Sequence, residues 1–450
     1  MKKINIYVCL YMLLAITFVS CDDILDTKLD DEVPAETAIT DGISLKSAVV
    51  GLYDIMQSET YYGGEFVLAQ ELTGGIADAT GFQERFAQLD KAIVPPSNTY
   101  IQNSWVDVYN LVNASNLILS KIDELQLVDD ASKGTALFCR ALGHFDALRQ
   151  FGQFTDLNSK YGIPVSTQYL DSKSALTISR ATVANSYQQI ITDLNASITL
   201  LKYGSSRFTI TKAAAEALLA RVYLYKGDND NAIVYANKVI ANATYKLNAK
   251  YNDIYDVEGS GEAIFELQFL GTDGNGFTEI LSVSPPEISA NYDDFFEPMD
   301  ADNDPRSYRY YDDSKVVYVD KYGTNDSQID NNSIIIKLSE IYLIRAEALA
   351  KKNPNNLTLA LADLNVVRTR ALPSKPFTLI DVPNLNAFIT VLLDESGREL
   401  GFEGHRWFSI VRLGRATSLL NIPAFRTVYP IPQNEITVAK GVLEQNPDYN

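Results

Sequence analysis

The sequence predicts a mostly α-helical protein, a scaffold of paired helices that carries long irregular loop regions and a few short strands. Three observations predict it. Apolar residues recur at i, i+3, i+4 spacing through most of the chain. A small-residue pattern repeats in two helix pairs. Two stretches rich in Gly, Pro, Asn and Tyr interrupt the periodicity. With 450 residues, 46% of them hydrophobic, the chain has enough apolar material for one large core or two intimate lobes.

Taken in order, the chain opens with Lys2 and Lys3 and an apolar run from Ile4 to Val19, then Ser20, Cys21, Asp22 and Asp23. A positive start, an apolar stretch too short to span a bilayer and a small residue before a cut read as a secretory signal over 1–20. The segment Phe18–Cys21 resembles the bacterial lipobox, with Phe18 in place of the usual Leu, which makes Cys21 the lipidated mature N-terminus. An ordinary signal peptide with a chance Cys is the alternative. Residues 21–34 are acidic and aperiodic and read as a tether, leaving 35–450 as the folded domain. Cys9 lies in the signal and Cys21 at the anchor, so Cys139 is a lone thiol in an apolar helical pattern, expected to be an inert core residue.

Helical periodicity follows at 44–57, 105–125, 135–151, 183–201, 212–226, 229–241, 337–351, 357–370 and 385–413. Ala220, Tyr223, Gly227, Ala232 and Ala236 fall at the offsets of a tetratricopeptide unit, with Lys226-Gly227-Asp228 as its turn. The stretch 346–371 reads as a second copy, turning at Asn353-Pro354. Between the helical blocks lie the irregular regions 63–102 and 248–332, with strand-like runs at 263–270 and 315–319. Long loops on a helical body are a binding architecture.

Charge and motifs exclude several classes. A formal charge of −19 repels phosphate backbones, so nucleic acid is not an expected partner. Two histidines, His144 and His405, with one free thiol cannot make a usual zinc site. The run Asp300-Ala-Asp302-Asn-Asp304-Pro305-Arg306 opens like a calcium loop, but Pro305 stands where the turn Gly belongs and Tyr311 where the closing Glu belongs. No phosphate loop or nucleophile elbow is present, and neither metal nor cofactor is expected. Glu395, Glu399 and Glu403 fall on one helical face, which suggests a glycosidase. However, Arg398, Arg406 and Arg412 stand near enough to neutralise them, and a structural ion network is the preferred reading.

The run Arg398-Glu399-Leu-Gly-Phe-Glu403-Gly-His405-Arg406-Trp407-Phe-Ser-Ile-Val-Arg412 resembles the most distinctive motif of the SusD/RagB family. Other pieces in matching order are Trp105…Tyr109…Asn116, Ala136…Arg140…Phe145, Arg221-Val-Tyr223, Arg345-Ala-Glu347, Arg368-Thr-Arg370 and Asn446-Pro447-Asp-Tyr449. Trp105, Arg398, Glu399, Glu403, Arg406 and Trp407 are the scaffold positions of this likeness.

The resemblance implies a lipid-anchored outer-membrane lipoprotein on the cell surface that caps a SusC-like TonB-dependent transporter. It delivers an oligomeric nutrient to the pore without breaking a bond. The ligand implied is an oligosaccharide, with a peptide as the alternative; a protein-interaction scaffold is the reading from a different class. The resemblance places the ligand site in the loop before Trp105 and in the later irregular region. There Asp78, Phe82, Arg85, Asn98, Tyr100, Tyr292, Tyr310 and Tyr311 are the candidates, aromatic faces for stacking and polar groups for hydroxyls. Both tryptophans belong to scaffold motifs, so the loops hold no Trp platform.

Overall fold

The computed structural model describes residues 35–450 except 82, 271–275, 282–287, 291–294, 308, 312–316, 320, 322–331 and 450. The signal, the tether and Cys21 lie outside the described residues. Residues 41–450 form one unit, and of the unit before it only 35–40 are described, with one helical turn at Ala35–Ala38.

The scaffold is a stack of long helices packed side by side. Helix α1 (Gly42–Gln57) starts at a capping box in which Asp41 accepts from Ile43 and Ser44 and Ser44 bonds back, which satisfies the orphan amides of the first turn. After α2 (Glu65–Thr73), β1 (Ala77–Ala79) and α3 (Glu84–Asp90) come the longest helices, α4 (Thr99–Glu124) and α5 (Asp130–Phe151). Helix α5 packs on both α4 and α6 (Val183–Leu200).

Helices α7 (Lys212–Lys226) and α8 (Asn229–Ile240) form the first expected repeat pair. Gly227 closes α7 in the left-handed conformation at φ +83° and Asp228 caps α8, the division of labour that Gly and Asp favour. Ala232 and Ala236 are wholly buried on α8, where a small side chain lets the neighbouring helices approach. The second pair is α9 (Leu338–Lys352) and α10 (Thr358–Ala371), closed by α11 (Leu385–Leu400). Leu343, Leu364, Phe388 and Leu392 fill the core among these three.

Bidentate ion pairs cross between helices, Arg140 to Asp193 and Arg221 to Glu340 at buried positions and Arg345 to Asp363 at a partly buried one. A guanidinium matched to a carboxylate specifies one helix register, because a slip strands both charges. Two buried strands, β2 (Ala263–Leu267) and β6 (Ser333–Lys337), pair antiparallel, and β6 runs directly into α9.

Two expectations need correction. The region 63–102 is not all loop: it contains α2 and α3. Every residue of α2 is buried, so it lacks the one-sided apolar stripe by which a surface helix is recognised. The periodic stretch 385–413 is not continuous either. It breaks after Leu400, where Phe402 and Gly404 adopt φ of +60° and +79°, before α12 (Arg406–Arg412). Glu403 therefore lies in a turn beyond the helix and does not share a helical face with Glu395 and Glu399.

Candidate functional site

The two loop regions meet. Strand β1, from the first, pairs antiparallel with β3 (Ile288–Ala290), from the second, in the register Ala77↔Ala290, Asp78↔Ser289, Ala79↔Ile288. Beside β3 lies β5 (Val317–Val319), the return strand of a hairpin whose first strand is β4 (Arg309–Tyr311). Tyr310 and Tyr311 are in β4, with Tyr310 opposite Tyr318 in the ladder. A composite face thus brings Asp78, 211 residues away in sequence from Ser289 by register, next to the tyrosine-bearing hairpin.

Not all candidates belong to that face. Arg85 is partly exposed, ion-paired to the buried Glu65 at 2.7 Å, with its guanidinium over the Phe86 ring. Asp78 is partly exposed on β1. Asn98 and Tyr100 are structural instead, which corrects the expectation that they face a ligand. Asn98 is buried as the N-cap of α4, accepting from Tyr100 and Ile101 and donating to Gln88 and Arg85. Tyr100 is wholly buried, its hydroxyl donating to Gln150 and accepting from Gln70, each at 2.8 Å. Removing Tyr100 would cost two buried amides, Gln70 and Gln150, one partner each and open a void in the core, so its loss acts through folding. Phe82 and Tyr292 lie outside the described residues.

The hairpin is fastened at both ends to the motif 395–403, by residues that sequence reasoning missed. Three residues before β4, Arg306 is wholly buried and donates to Asp304 at 2.7–2.8 Å, Glu395 at 2.5 Å and Glu399 at 3.3 Å. Two residues after β5, Lys321 is buried against Glu403 and the carbonyl of Gly401. Arg368 and Arg370 of α10 and Lys337 of β6 complete the network, pairing with Glu395, Glu399 and Glu403 respectively. The signal available in the sequence was the run Asp302–Arg306 itself, an acidic cluster carrying its own arginine. It is an ion-pair latch: Asp304 bonds Arg306, and Asp302 pairs with Arg398 and Lys375.

The electrostatics follow from this packing. Burial would raise the Glu399 carboxyl, but Arg370, Lys337 and Arg306 hold it down to about 2. Burial brings Lys321 down to about 8 in spite of the attraction of Glu403. Arg306 goes the other way: burial disfavours its charge, and Glu395, Asp304 and Glu399 outweigh that and raise its pKa. Burial holds His405 at about 3, so it is neutral and no proton shuttle at neutral pH.

Glu395, Glu399 and Glu403 are therefore committed to cations inside the protein, with Glu395 and Glu399 wholly buried. The neutralising residues differ from those expected: Arg398 turns to Asp302, Asp304 and Asp394, Arg406 to the carbonyl of Leu393, and Arg412 to Glu347. Trp407 is wholly buried against Tyr429, and Trp105 nearly so. Among the described residues no His, Cys, Asp and Glu cluster is arranged to hold a metal, and no helix is long and apolar enough to cross a membrane.

Comparison with known proteins agrees with this architecture. A family model described as "Starch-binding associating with outer membrane" matches residues 23–224, and one described as "SusD family" matches 271–423. Two curated proteins of Formosa agariphila, SusD-like proteins P2 and P38, are 25% and 24% identical, each alignment covering the whole of both chains. A SusD superfamily protein from Bacteroides thetaiotaomicron superimposes with a TM-score of 0.80 at 25% identity, over 90% of this chain and 99% of its own. A laminarin-binding SusD-like protein shares the fold, with a TM-score of 0.77 at 21% identity over 91% of this chain and all of its own.

Proposed function

The chain belongs to the SusD/RagB family of outer-membrane nutrient-binding proteins, and from that premise we propose that it captures an oligosaccharide at the cell surface and delivers it to a SusC-like TonB-dependent transporter. It is a non-catalytic binder. The observation that carries the reading is the composite face. Strand pairing joins the two loop regions, and a tyrosine-bearing hairpin is held there by buried cations. Pre-positioned segments bind with less ordering cost than free loops. Asp78, Arg85, Tyr310 and Tyr311 are the ligand-binding residues proposed. Cys21 carries the lipid anchor behind the signal 1–20, and 21–34 is the tether that holds the body off the bilayer.

The test is calorimetric titration of the purified domain against a panel containing laminarin, starch oligosaccharides and peptides. Laminarin enters the panel because a structural neighbour binds it. Saturable binding of one glycan, weakened at least ~10-fold in Arg85→Ala without loss of folding, supports the reading. Binding of none of them, with a tight partner that is not a transporter, would favour a protein-interaction scaffold. A peptide ligand has its own motivating observation: both tryptophans sit in the helical body, so the face lacks the indole platform suited to a large glycan. Sustained release of reducing ends, abolished in Glu399→Gln, would overturn the non-catalytic assignment. For the anchor, Cys21→Ala is expected to yield a soluble secreted product, and unchanged membrane association would refute lipidation there.

A further inference from the structure

On the flank of the scaffold, away in sequence from the loop face, a cavity of about 330 Å³ opens between α4, the segment 164–178 and the C-terminal helix Gln433–Val438. That size suits one small ligand body. Trp105 and Tyr109 form one wall, their ring centroids 4.7 Å apart and tilted by 43°. Their polar atoms are already engaged. The Tyr109 hydroxyl donates to the carbonyl of Pro164 at 2.9 Å, and the indole N–H of Trp105 stands close enough to the Glu435 carboxylate to lower its pKa. What these residues offer the cavity is aromatic carbon. Leu176, Ile178 and Leu443 supply the aliphatic remainder, and exposed Val106, Val438 and Val442 extend the apolar surface around it.

Two carboxylates interrupt this lining: Asp171 is exposed at the rim, where it accepts from the Ser174 amide, and Glu435 stands at the wall. Glu435 is half-buried at the wall, and burial lifts its carboxyl above the usual range against the opposing hydrogen bond from Trp105. No Lys or Arg among the described residues acts on it. The nearby Arg180 spends its guanidinium on the carbonyls of Gly162, Phe151 and Glu444. A carboxylate beside two aromatic faces, with aliphatic walls behind, matches an ammonium head on an apolar body. It does not match a sugar. Asn113 is bonded at both ends to Leu170, and the Ser166 hydroxyl is taken by Gln168; of the neutral polar side chains in the lining that leaves the exposed Asn110, too few to pair the several hydroxyls of a pyranose.

We infer that this cavity is a second binding site, selective for an organic ammonium with an aliphatic body, either a free alkylamine or the lysine side chain of a peptide. It is independent of the glycan face, and neither reading falls with the other. Trp105 and Trp407 are the only tryptophans in the chain, and Trp407 is wholly buried against Tyr429. Indole fluorescence therefore reports on Trp105. The experiment titrates the folded domain with n-hexylammonium, hexan-1-ol, glucose and N-acetyl-lysine amide at neutral pH.

The expected result is a saturable change with hexylammonium and one at least ~10-fold weaker with hexanol, the ratio about 1.4 kcal/mol provides. Saturation by acetyl-lysine amide at similar concentration assigns the peptide side chain as the source; hexylammonium alone assigns the free amine. Glu435→Gln should bring amine and alcohol within about twofold of each other, and Ala439→Leu, which fills the cavity, should weaken both. Equal binding of amine and alcohol to the unaltered protein would overturn the inference. So would an amine preference that survives Glu435→Gln, or saturation by glucose instead.

Discussion

Replacing Glu399 by Gln tests whether the carboxylates of the 395–403 motif are structural. The substitution keeps the volume and removes the charge. One oxygen of Glu399 faces Arg370 and Lys337, the other faces Arg306. An amide nitrogen would therefore meet a donor whichever way it turned. Its pKa falls from an ordinary 4.5 to about 2, and about 2.5 units correspond to about 3 kcal/mol of stabilisation of the charged form. Leaving the cations of a buried ionic cluster without one carboxylate costs about 3–5 kcal/mol in proteins generally. The assay is urea unfolding followed by circular dichroism. At pH 7 the variant should lose about 3 kcal/mol. A depressed carboxyl contributes stability above its unfolded pKa and loses it as pH falls through the folded value, so the difference between the two proteins should shrink between pH 4.5 and 2. A loss below about 1 kcal/mol, the scale of an exposed pair, or a difference that stays constant down to pH 2, would refute the reasoning.

Two further substitutions probe the same region. Lys321 has a lowered pKa, about 8 against 10.5, so its buried charge costs the fold, and the unfolded chain binds the extra proton between those values. Stability of the unaltered protein should thus rise with pH from 8 to 10.5 relative to Lys321→Met, by about 3 kcal/mol at most; urea midpoints at pH 7, 9 and 10.5 check the sign. Gly404→Ala places a Cβ 3.3 Å from the Val67 Cα at a φ of +79°. It also strains the turn whose amides, Gly404 and His405, donate to Glu71. The expected loss is ~1–2 kcal/mol, read from the same unfolding curves.

Much of the helical body was legible because helices such as α4, α6 and α8 carry one-sided apolar stripes, and others carry explicit punctuation. Gly227 and Asp228 announce the α7–α8 turn. Helix α2 was illegible because it is only nine residues long and buried on every side, too short for a periodic pattern to register. Tyr100 looked like a loop aromatic because the N-cap at Asn98 turns a Pro-rich approach into a helix at Thr99, six residues before the expected start at 105. The sockets of the motif were beyond reach for a different physical reason. Arg306 meets Glu395 across 89 positions, and Lys321 meets Glu403 across 82. Such pairs leave no local periodicity. Charge proximity in sequence pointed instead to Arg398, Arg406 and Arg412, whose long side chains reach other partners.

The two fastenings of the hairpin are unequal, and the inequality has a direction. At Arg306 the surrounding carboxylates outweigh the cost of burial and raise its pKa; at Lys321 burial outweighs the attraction of Glu403 and lowers it. A planar guanidinium shared among Asp304, Glu395 and Glu399 forms several oriented bonds, whereas an ammonium is a more strongly hydrated point charge. Glu403 also keeps Lys337 as a partner at 2.6 Å if Lys321 leaves, so release at that end strands no carboxylate. The hairpin is therefore expected to open from its β5 side while β4 stays fixed. Because β5 lies beside β3, such opening would disturb the composite face at its middle. Native-state hydrogen exchange resolves the two strands. Amides of Val317–Val319 should exchange faster than those of Arg309–Tyr311, and Lys321→Met should narrow the gap by removing the buried charge. Equal exchange in both strands, or faster exchange in β4, would show that the anchors do not set the mobility of this hairpin.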